Sequence, residues 1–317
     1  MSSYTKVISE MKNDSLKYGN KAAADIAFNK LKVGPEVAVF DKGTSAKVIE
    51  RHILKRFGTN QRYVVRFSKG NEINLPVAIG ISFPELVSFI ESKIKPDYSV
   101  IIRPFFEVKN CFEVYYDGKT TQVQVLPGKW DITTNEKTDL IVIHSDKMII
   151  YRYEKERPVK GLDVSISQPL SVTELELIGN FAQQHKPVLD AFLQISNPLF
   201  MRGHHEITGG LSFSNCRKST APYEIEEPKN TVYTILGEKD VAAWDGKGEI
   251  YVDVSALSRE EDKSIYKIAL LLKKRGATKV YCKSFLSHQA ILLREAGLTT
   301  VQLFEPKDYS VKIIQIK

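Results

Sequence analysis

Cysteine is scarce in this chain of 317 residues, and its three copies are Cys111, Cys216 and Cys282. They lie far apart and form no CxxC pair, so their number and spacing argue against a disulfide framework. The same spacing argues against a zinc site built on cysteine. We therefore expect a protein of a reducing, cytoplasmic compartment.

Long apolar runs are missing as well. No run approaches the roughly 18 residues that a membrane-spanning helix needs, and the opening stretch "MSSYTKVISEMKNDSLKYGNK" is too polar for a signal peptide. The sequence also shows no internal repeat and no low-complexity tract. These absences predict a soluble cytoplasmic protein with no membrane partner.

A basic arm is absent, although the chain has 45 Lys+Arg against 38 Asp+Glu and a formal net charge of +7. The excess is spread over both halves of the sequence. A modest positive balance suits an anionic small ligand such as a nucleotide, whereas non-specific nucleic-acid binding normally uses a concentrated basic patch. The distribution argues against nucleic acid as a partner.

Alternating patterns of helix and strand indicate two domains, since the length exceeds one ordinary core. The first two thirds predict an α+β domain with antiparallel hairpins, and the last 90 or so residues predict a small α/β domain with a largely parallel sheet. Between them, "KSTAPYEIEEPKNT" has the prolines and charges of a linker. We place the domains at 1–217 and 232–317, with the linker at 218–231.

A Ser-His pair opens a predicted helix in the second domain. Ser287 suits the N-cap position, which puts His288 in the first turn, where backbone N–H groups and the helix dipole favour an anion. A phosphate on His288 would be stabilised there. The same spacing also fits an ordinary solvated first-turn histidine, and spacing alone leaves both interpretations open.

The stretch "SFLSHQAILLREAGL" resembles the phosphohistidine segment in the swivelling domain of phosphoenolpyruvate-utilising enzymes. The family's glycine pair is absent upstream of the serine. The positions that match share one register, and they are Ser287, His288, Ala290, Ile291, Arg294, Glu295 and Gly297. The resemblance implies that His288 is a phosphoryl carrier.

Three upstream stretches resemble the same family in the same order. "YGNKAAADIAFNKL" is similar to the opening of its nucleotide-binding domain and puts Lys21 at the phosphate-contacting lysine, while "YVVRFS" puts Arg66 at its arginine. "GGLSFSNCRKS" puts Asn215 at the position of a metal-binding glutamine and Arg217 at that of a catalytic arginine. The resemblance implies an ATP-grasp-like domain of two lobes that binds ATP.

Phosphoryl transfer explains these residue types, because cations must neutralise the charge that spreads over the phosphate oxygens. Lys21, Arg66 and Arg217 would supply that charge. Asn215 with Glu206 would hold Mg²⁺, which prefers oxygen ligands. The adjacent His204 and His205 would face opposite sides of a strand and could not chelate one metal together.

The leading interpretation is an ATP-dependent phosphotransferase that passes a phosphoryl group through His288 to a small-molecule or protein acceptor. The family's large barrel domain is absent from the sequence, so the acceptor is undefined. One alternative is a non-catalytic descendant that senses nucleotides or contacts proteins. Another is an unrelated two-domain binding protein, which would follow if Arg66 and Arg217 did not face one cleft.

Overall fold

The computed structural model describes most of the chain, namely residues 3–69, 75–127, 137–154, 169–193, 199–206, 210–218, 225–229, 232–253, 262–283 and 287–316. Within these ranges, the side chains of four predicted site residues lie outside the description: Lys21, Asn215, Arg217 and His288.

The described residues form eight α-helices. They are α1 (Ser3–Tyr18), α2 (Asn20–Lys30), α3 (Ala46–Phe57), α4 (Phe83–Lys93), α5 (Val172–Leu193), α6 (Glu238–Ala243), α7 (Asp262–Lys274) and α8 (His288–Glu295).

The strands number sixteen over the same residues. They are β1 (Ala38–Phe40), β2 (Tyr63–Ser68), β3 (Val77–Ile81), β4 (Ser99–Pro104), β5 (Val108–Tyr116), β6 (Thr121–Pro127), β7 (Asp139–Ile143), β8 (Lys147–Tyr153), β9 (Leu199–Glu206), β10 (Leu211–Lys218), β11 (Ile225–Glu226), β12 (Val232–Ile235), β13 (Glu249–Val252), β14 (Lys279–Cys282), β15 (Thr299–Leu303) and β16 (Tyr309–Gln315).

Contacts divide the chain into two compact units. The first comprises residues 1–109 and 170–217, and the second comprises 110–169 and 218–317. The predicted division has one boundary in common with this one, between positions 217 and 218. It differs in assigning 110–169 to the first domain.

The first unit contains a four-stranded antiparallel sheet in the order β1-β4-β2-β3. One face of this sheet is covered by α3 and α4, and Tyr63, Val65 and Ile102 are fully buried there. Helix α4 begins with a capping box in which Ser82 donates its N–H and its hydroxyl to Glu85, at 2.7 Å each. The opposite face meets α2, whose alanines are buried.

The second unit contains an antiparallel meander of β5, β6, β7 and β8, followed along the sheet by the C-terminal strand β16. The β5–β6 turn is the one predicted at "DGK", where the Asp117 carboxylate accepts the N–H groups of Lys119 and Thr120 at 2.8 Å. Strand β16 lies 156 positions beyond its partner in the register Tyr309↔Tyr153.

The predicted parallel sheet of the C-terminal part is confirmed. Five strands run parallel in the order β11-β15-β14-β13-β12, with α6, α7 and α8 as crossovers and a core that includes Ile250, Leu272 and Leu293. Gly276 ends α7 with a φ of 90°, as its position in the sequence predicted.

The predicted linker is partly a strand. Ile225 and Glu226 pair with β15, and the Glu226 carboxylate accepts a hydrogen bond from Lys279. A short polar segment can add a strand to the edge of a parallel sheet even though it has no apolar core of its own. The rest of 218–231, apart from positions 218 and 227–229, lies outside the described residues.

Candidate functional site

Two of the predicted cations lie on elements that face each other in the first unit. Lys21 is the second residue of α2. The helix is preceded by Gly19, whose φ of 87° is accessible to glycine and costly for other residues. Arg66 lies on β2, opposite Ile101 of β4. Helix α2 packs on β2 and β4 through Ala22.

The face of the sheet beneath α2 carries two arginines. Val64 pairs with Arg103 and Arg66 pairs with Ile101, so alternation along the strands puts both arginines on one face. Val65, between Val64 and Arg66 in sequence, points into the core on the opposite face. Arg66 is half-buried, whereas Arg103 is 1% exposed.

Helix α2 brings a carboxylate to this face. Asp25 is 2% exposed, and its Oδ1 lies 3.7 Å from Nη1 of Arg103. Burial raises the pKa of the Asp25 carboxyl, and the positive charges of Arg103 and then Arg66 oppose that rise. The charges of both guanidinium groups therefore act on one buried carboxyl group.

Sequence reasoning missed this pair. Asp25 interrupts the alanine-rich stretch "AAADIAF", and Arg103 interrupts "VIIRPFF". A single charge within a run of buried residues predicts a buried, partnered charge, since isolated ions are too costly to bury. That signal was present in both stretches.

The strand that carries Asn215 and Arg217 begins close to α2. Phe213 of β10 donates its N–H to the carbonyl of Val33 at 2.7 Å and stacks on Phe181 with ring centroids 3.9 Å apart. Gly34 lies so near this strand that a Cβ there would be 2.8 Å from the Phe213 carbonyl oxygen. Positions 215 and 217 follow along β10.

The predicted magnesium ligands are only partly described. Glu206 is half-buried at the end of β9, and its N–H donates to the Gly210 carbonyl at 3.1 Å. The Asn215 side chain lies outside the described residues, as do those of His204 and His205. Among the residues that are described, no group of three His, Cys, Asp or Glu side chains could hold a metal. The magnesium site stays a prediction.

The predicted N-cap of α8 is confirmed. Ser287 is fully buried and its hydroxyl accepts the N–H of Ala290 at 3.1 Å. His288 is the first residue of the helix, and its side chain lies outside the description. Arg294, which matches the family pattern, donates to Thr300 Oγ1 at 2.8 Å and so joins α8 to β15.

The carboxyl ends of β14 and β15 have a buried polar environment beside α8. Cys282 ends β14, and burial raises the pKa of its thiol to about 12. Gln302 of β15 is hydrogen-bonded to Gln124 of β6. Ligands of parallel α/β sheets bind outside this end of the strands, which is also where α8 begins.

Lys137 is a buried charged residue near that end. Its Nζ lies 3.4 Å from the Leu303 carbonyl and 3.3 Å from Glu305 Oε2, within hydrogen-bond reach of both. Burial lowers the pKa of Lys137, and the carboxylate of Glu305 opposes that shift. The sequence signal was weak, because "TNEKTDL" reads as an ordinary polar turn.

Comparisons with known proteins assign no family to the chain. No family model matches it, and no curated protein matches it. None of the described helices is long and apolar enough to cross a membrane.

Several solved structures show a distant likeness. D-alanyl-alanine synthetase A from Vibrio cholerae has a TM-score of 0.38 and 12% identity over 63% of this chain and 54% of its own. D-alanine–D-alanine ligase from Bacillus anthracis has a TM-score of 0.37 and 14% identity over 66% of this chain and 63% of its own. An ADP complex of N5-carboxyaminoimidazole ribonucleotide synthetase has a TM-score of 0.38 and 10% identity over 65% of this chain and 46% of its own. The chain covers less than two thirds of each of these proteins. At such TM-scores and identities the likeness assigns neither a family nor an activity. The fold itself is α+β, with a parallel α/β sheet in the C-terminal part of the chain.

Proposed function

We propose that the protein is an ATP-dependent phosphotransferase with an ATP-grasp-like nucleotide site and a phosphohistidine at position 288. The observation that carries the proposal is the meeting of α2, which contains Lys21, with the strand face that contains Arg66. These two residues come from separate stretches of sequence that predict one role, and their elements are adjacent in the fold.

The charge of this region suits a polyphosphate. Arg66 and Arg103 lie on the same face, and the positive charges of both act on the buried carboxyl group of Asp25. Arg66 is half-buried on this face and Arg103 is 1% exposed, so Arg66 is the arginine that an anion could reach. Lys21 and Arg66 would bind phosphate oxygens, and Arg217 would neutralise the charge that develops during transfer.

Magnesium would be held by oxygen ligands of Asn215 and Glu206, which is the chemistry this ion prefers. The half-buried position of Glu206 at a strand end is compatible with a carboxylate that keeps some contact with water. When bound, the ion would neutralise part of the phosphate charge. The chain's own cations would orient the nucleotide for an in-line displacement.

At His288, one neutral imidazole nitrogen would attack phosphorus as a P–O bond to the leaving nucleotide breaks. A neutral imidazole has one ring nitrogen without a proton, and that nitrogen can act as the nucleophile. The Ser287 hydroxyl caps the N–H of Ala290, and the N-terminus of a helix favours a nearby anion through its dipole. A later acceptor, a small molecule or a protein, would take the phosphoryl group.

A second candidate function is a non-catalytic descendant that binds nucleotide without transferring phosphate. It is favoured by Cys282 and Lys283, which stand near the place of the family's glycine pair. Cys282 is the last residue of β14 and is 2% exposed, so a buried side chain stands at this position. The two candidates share the nucleotide site and differ at His288.

Incubation with radiolabelled ATP and Mg²⁺ tests the choice. A label that is lost in acid and kept in alkali would indicate phosphohistidine. His288→Ala should abolish this label, whereas His52→Ala, at an exposed position of α3, should retain it. If the unchanged protein binds ATP and takes no label, the non-catalytic candidate is the better account.

A further inference from the structure

Among the described strands, β16 is paired along one edge and has no neighbour along the other. All seven residues pair with β8 in an uninterrupted antiparallel register from Tyr309↔Tyr153 to Gln315↔Lys147. Among the strands that the structure describes, β8 is the only neighbour of β16. The strand contains no proline and no bulge, which are common devices that block pairing at an open edge.

The hydrogen bonds at the two ends of the β8–β16 pair show which backbone groups of β16 point away from β8. The Ile316 N–H donates to the Asp146 carbonyl at 2.9 Å, and the Glu154 N–H donates to the Asp308 carbonyl at 3.0 Å. In an antiparallel pair, hydrogen-bonded positions alternate with positions that are not bonded to that partner. Even-numbered residues of β16 therefore bond to β8, and odd-numbered residues direct their N–H and C=O groups to the open edge.

Three consecutive odd positions are open. The Tyr309 N–H is bonded to the carbonyl of Pro306 in the preceding turn. The open positions are thus Val311, Ile313 and Gln315. All three are exposed, and the apolar Val311 and Ile313 are 55% and 61% exposed.

We propose that this edge is a homodimer interface in which β16 of two copies pair antiparallel about a two-fold axis centred on Ile313. This register places Ile313 opposite its own copy and Val311 opposite Gln315. Each open position of one strand then meets an open position of the other, which gives three hydrogen-bonded pairs.

The register centred on Ile313 pairs all three open positions with one another, and the neighbouring registers do not. Centring on Ile314 would pair Ile313 with Gln315 but would give Val311 no open position among the described residues. Centring on Val311 would place Ile313 opposite Tyr309, whose N–H is already used. Centring on Lys312 would place two ammonium groups opposite each other in a close pair, which is destabilising. In the register centred on Ile313, Lys312 instead faces Ile314. The strand is therefore complementary to a second copy of itself, and this complementarity identifies the occupant.

The interface is small, so the dimer should depend on concentration. Sedimentation velocity or light scattering from about 1 to 100 μM should show the mass rise from 35.9 kDa towards twice that value. Ile313→Lys and Val311→Lys should each keep the protein monomeric throughout. Leu236→Lys is the matched control, because Leu236 is 57% exposed elsewhere in the same unit, and it should dimerise normally.

A disulfide trap tests the register. In a Cys216→Ser background, Ile313→Cys should give a covalent dimer under oxidation, since hydrogen-bonded pairs have Cα atoms about 5.5 Å apart, within disulfide range. Lys312→Cys should not, because it faces Ile314 of the other copy. A protein that is monomeric at every concentration, or a dimer that survives both lysine substitutions, would overturn the proposal. A covalent dimer from Lys312→Cys alone would overturn the register.

Discussion

Asp25 and Arg103 form a buried pair of opposite charges, which needs an explanation beyond stability. Both residues are almost fully buried in apolar segments. For a buried ion pair, the free energy needed to remove two charges from water often exceeds the attraction between them. A well-packed apolar pair would suit the core at least as well. The positive charge of Arg66 also acts on Asp25, so this buried carboxyl group is coupled to a residue that is predicted to bind phosphate.

Arg66→Ala should weaken ATP binding. Loss of one charge-assisted phosphate contact costs about 1.5–3 kcal/mol, which is about 10- to 150-fold in Kd. Isothermal titration with MgATP measures this directly. Arg51→Ala removes the same charge from an exposed position on α3 and should leave Kd within about twofold. Equal affinities for the two variants would contradict the assignment of Arg66.

The Asp25 carboxyl predicts a specific pH dependence of stability. Burial raises its pKa in the folded state above the ordinary value of 3.8, so the folded state holds a proton that the unfolded state has released. The free energy of unfolding should therefore fall as pH rises from about 3.8 to the folded pKa, with a slope of about 1.4 kcal/mol per pH unit. Below pH 3.8 the carboxyl group is protonated in both states, and this loss of stability is absent.

Urea denaturation from pH 3.5 to 7 measures this effect, with Asp25→Asn as the comparison. The variant cannot titrate at this position. The free energy of unfolding of the unchanged protein, minus that of the variant, should therefore fall as the pH rises above 3.8. A difference that stays constant with pH would show that the Asp25 pKa is not raised.

At the scale of elements, helix α8 depends on its first residue pair. The Ser287 hydroxyl accepts the N–H of Ala290, which satisfies one of the unpaired donors of the first turn. Ser287→Ala should lower the free energy of unfolding by about 1 kcal/mol. Ser45 precedes α3 without a side-chain cap bond, so Ser45→Ala should cost less and serves as the matched control. Equal losses in urea denaturation would contradict a capping role for Ser287.

The same elements show what sequence patterns can predict. Strands and helices with clear apolar periodicity, such as β2, α3 and the crossovers of the parallel sheet, were predicted because burial imposes period 2 or 3.6 on the residues concerned. The cap at Ser287 and the end of α7 at Gly276 were predicted because each follows from local backbone chemistry.

Long-range pairing could not be predicted in this way. The pairing of β16 with β8 and of Gln124 with Gln302 joins residues more than 150 positions apart, and no local pattern specifies such partners. For the same reason the segment 110–169 was assigned to the first domain. In the candidate site, Lys21 and Arg66 were predicted because their stretches resemble a family motif. Asp25 and Arg103 were missed because their pairing is visible only once the helix and the strand are placed together.

At the scale of the whole molecule, the β8–β16 ladder would limit a swivelling movement of His288, which is the movement that the resemblance of "SFLSHQAILLREAGL" to a swivelling domain implies. A movement that carried residues 232–317 as one body would have to separate seven paired positions of β8 and β16. The five-stranded parallel sheet with α6, α7 and α8 is the part that has its own core. This sheet is also joined to the meander, because Gln302 of β15 is hydrogen-bonded to Gln124 of β6 and Lys137 reaches the Leu303 carbonyl. A moving body that leaves β16 in place would have to break these contacts instead.

Amide hydrogen exchange can decide whether the ladder opens. The N–H groups of Ser310, Lys312 and Ile314 point to β8. Those of Val311 and Ile313 point away from it, because bonded and non-bonded positions alternate along an antiparallel pair. In dilute, monomeric protein the first three should exchange about 100-fold or more slowly than the other two, because they are released only by opening of the ladder. Addition of ATP and Mg²⁺ should leave this contrast unchanged if β16 stays paired while His288 moves. Fast exchange at Ser310, Lys312 and Ile314, appearing only with nucleotide, would show instead that the strand leaves β8 and that the whole of 232–317 swings.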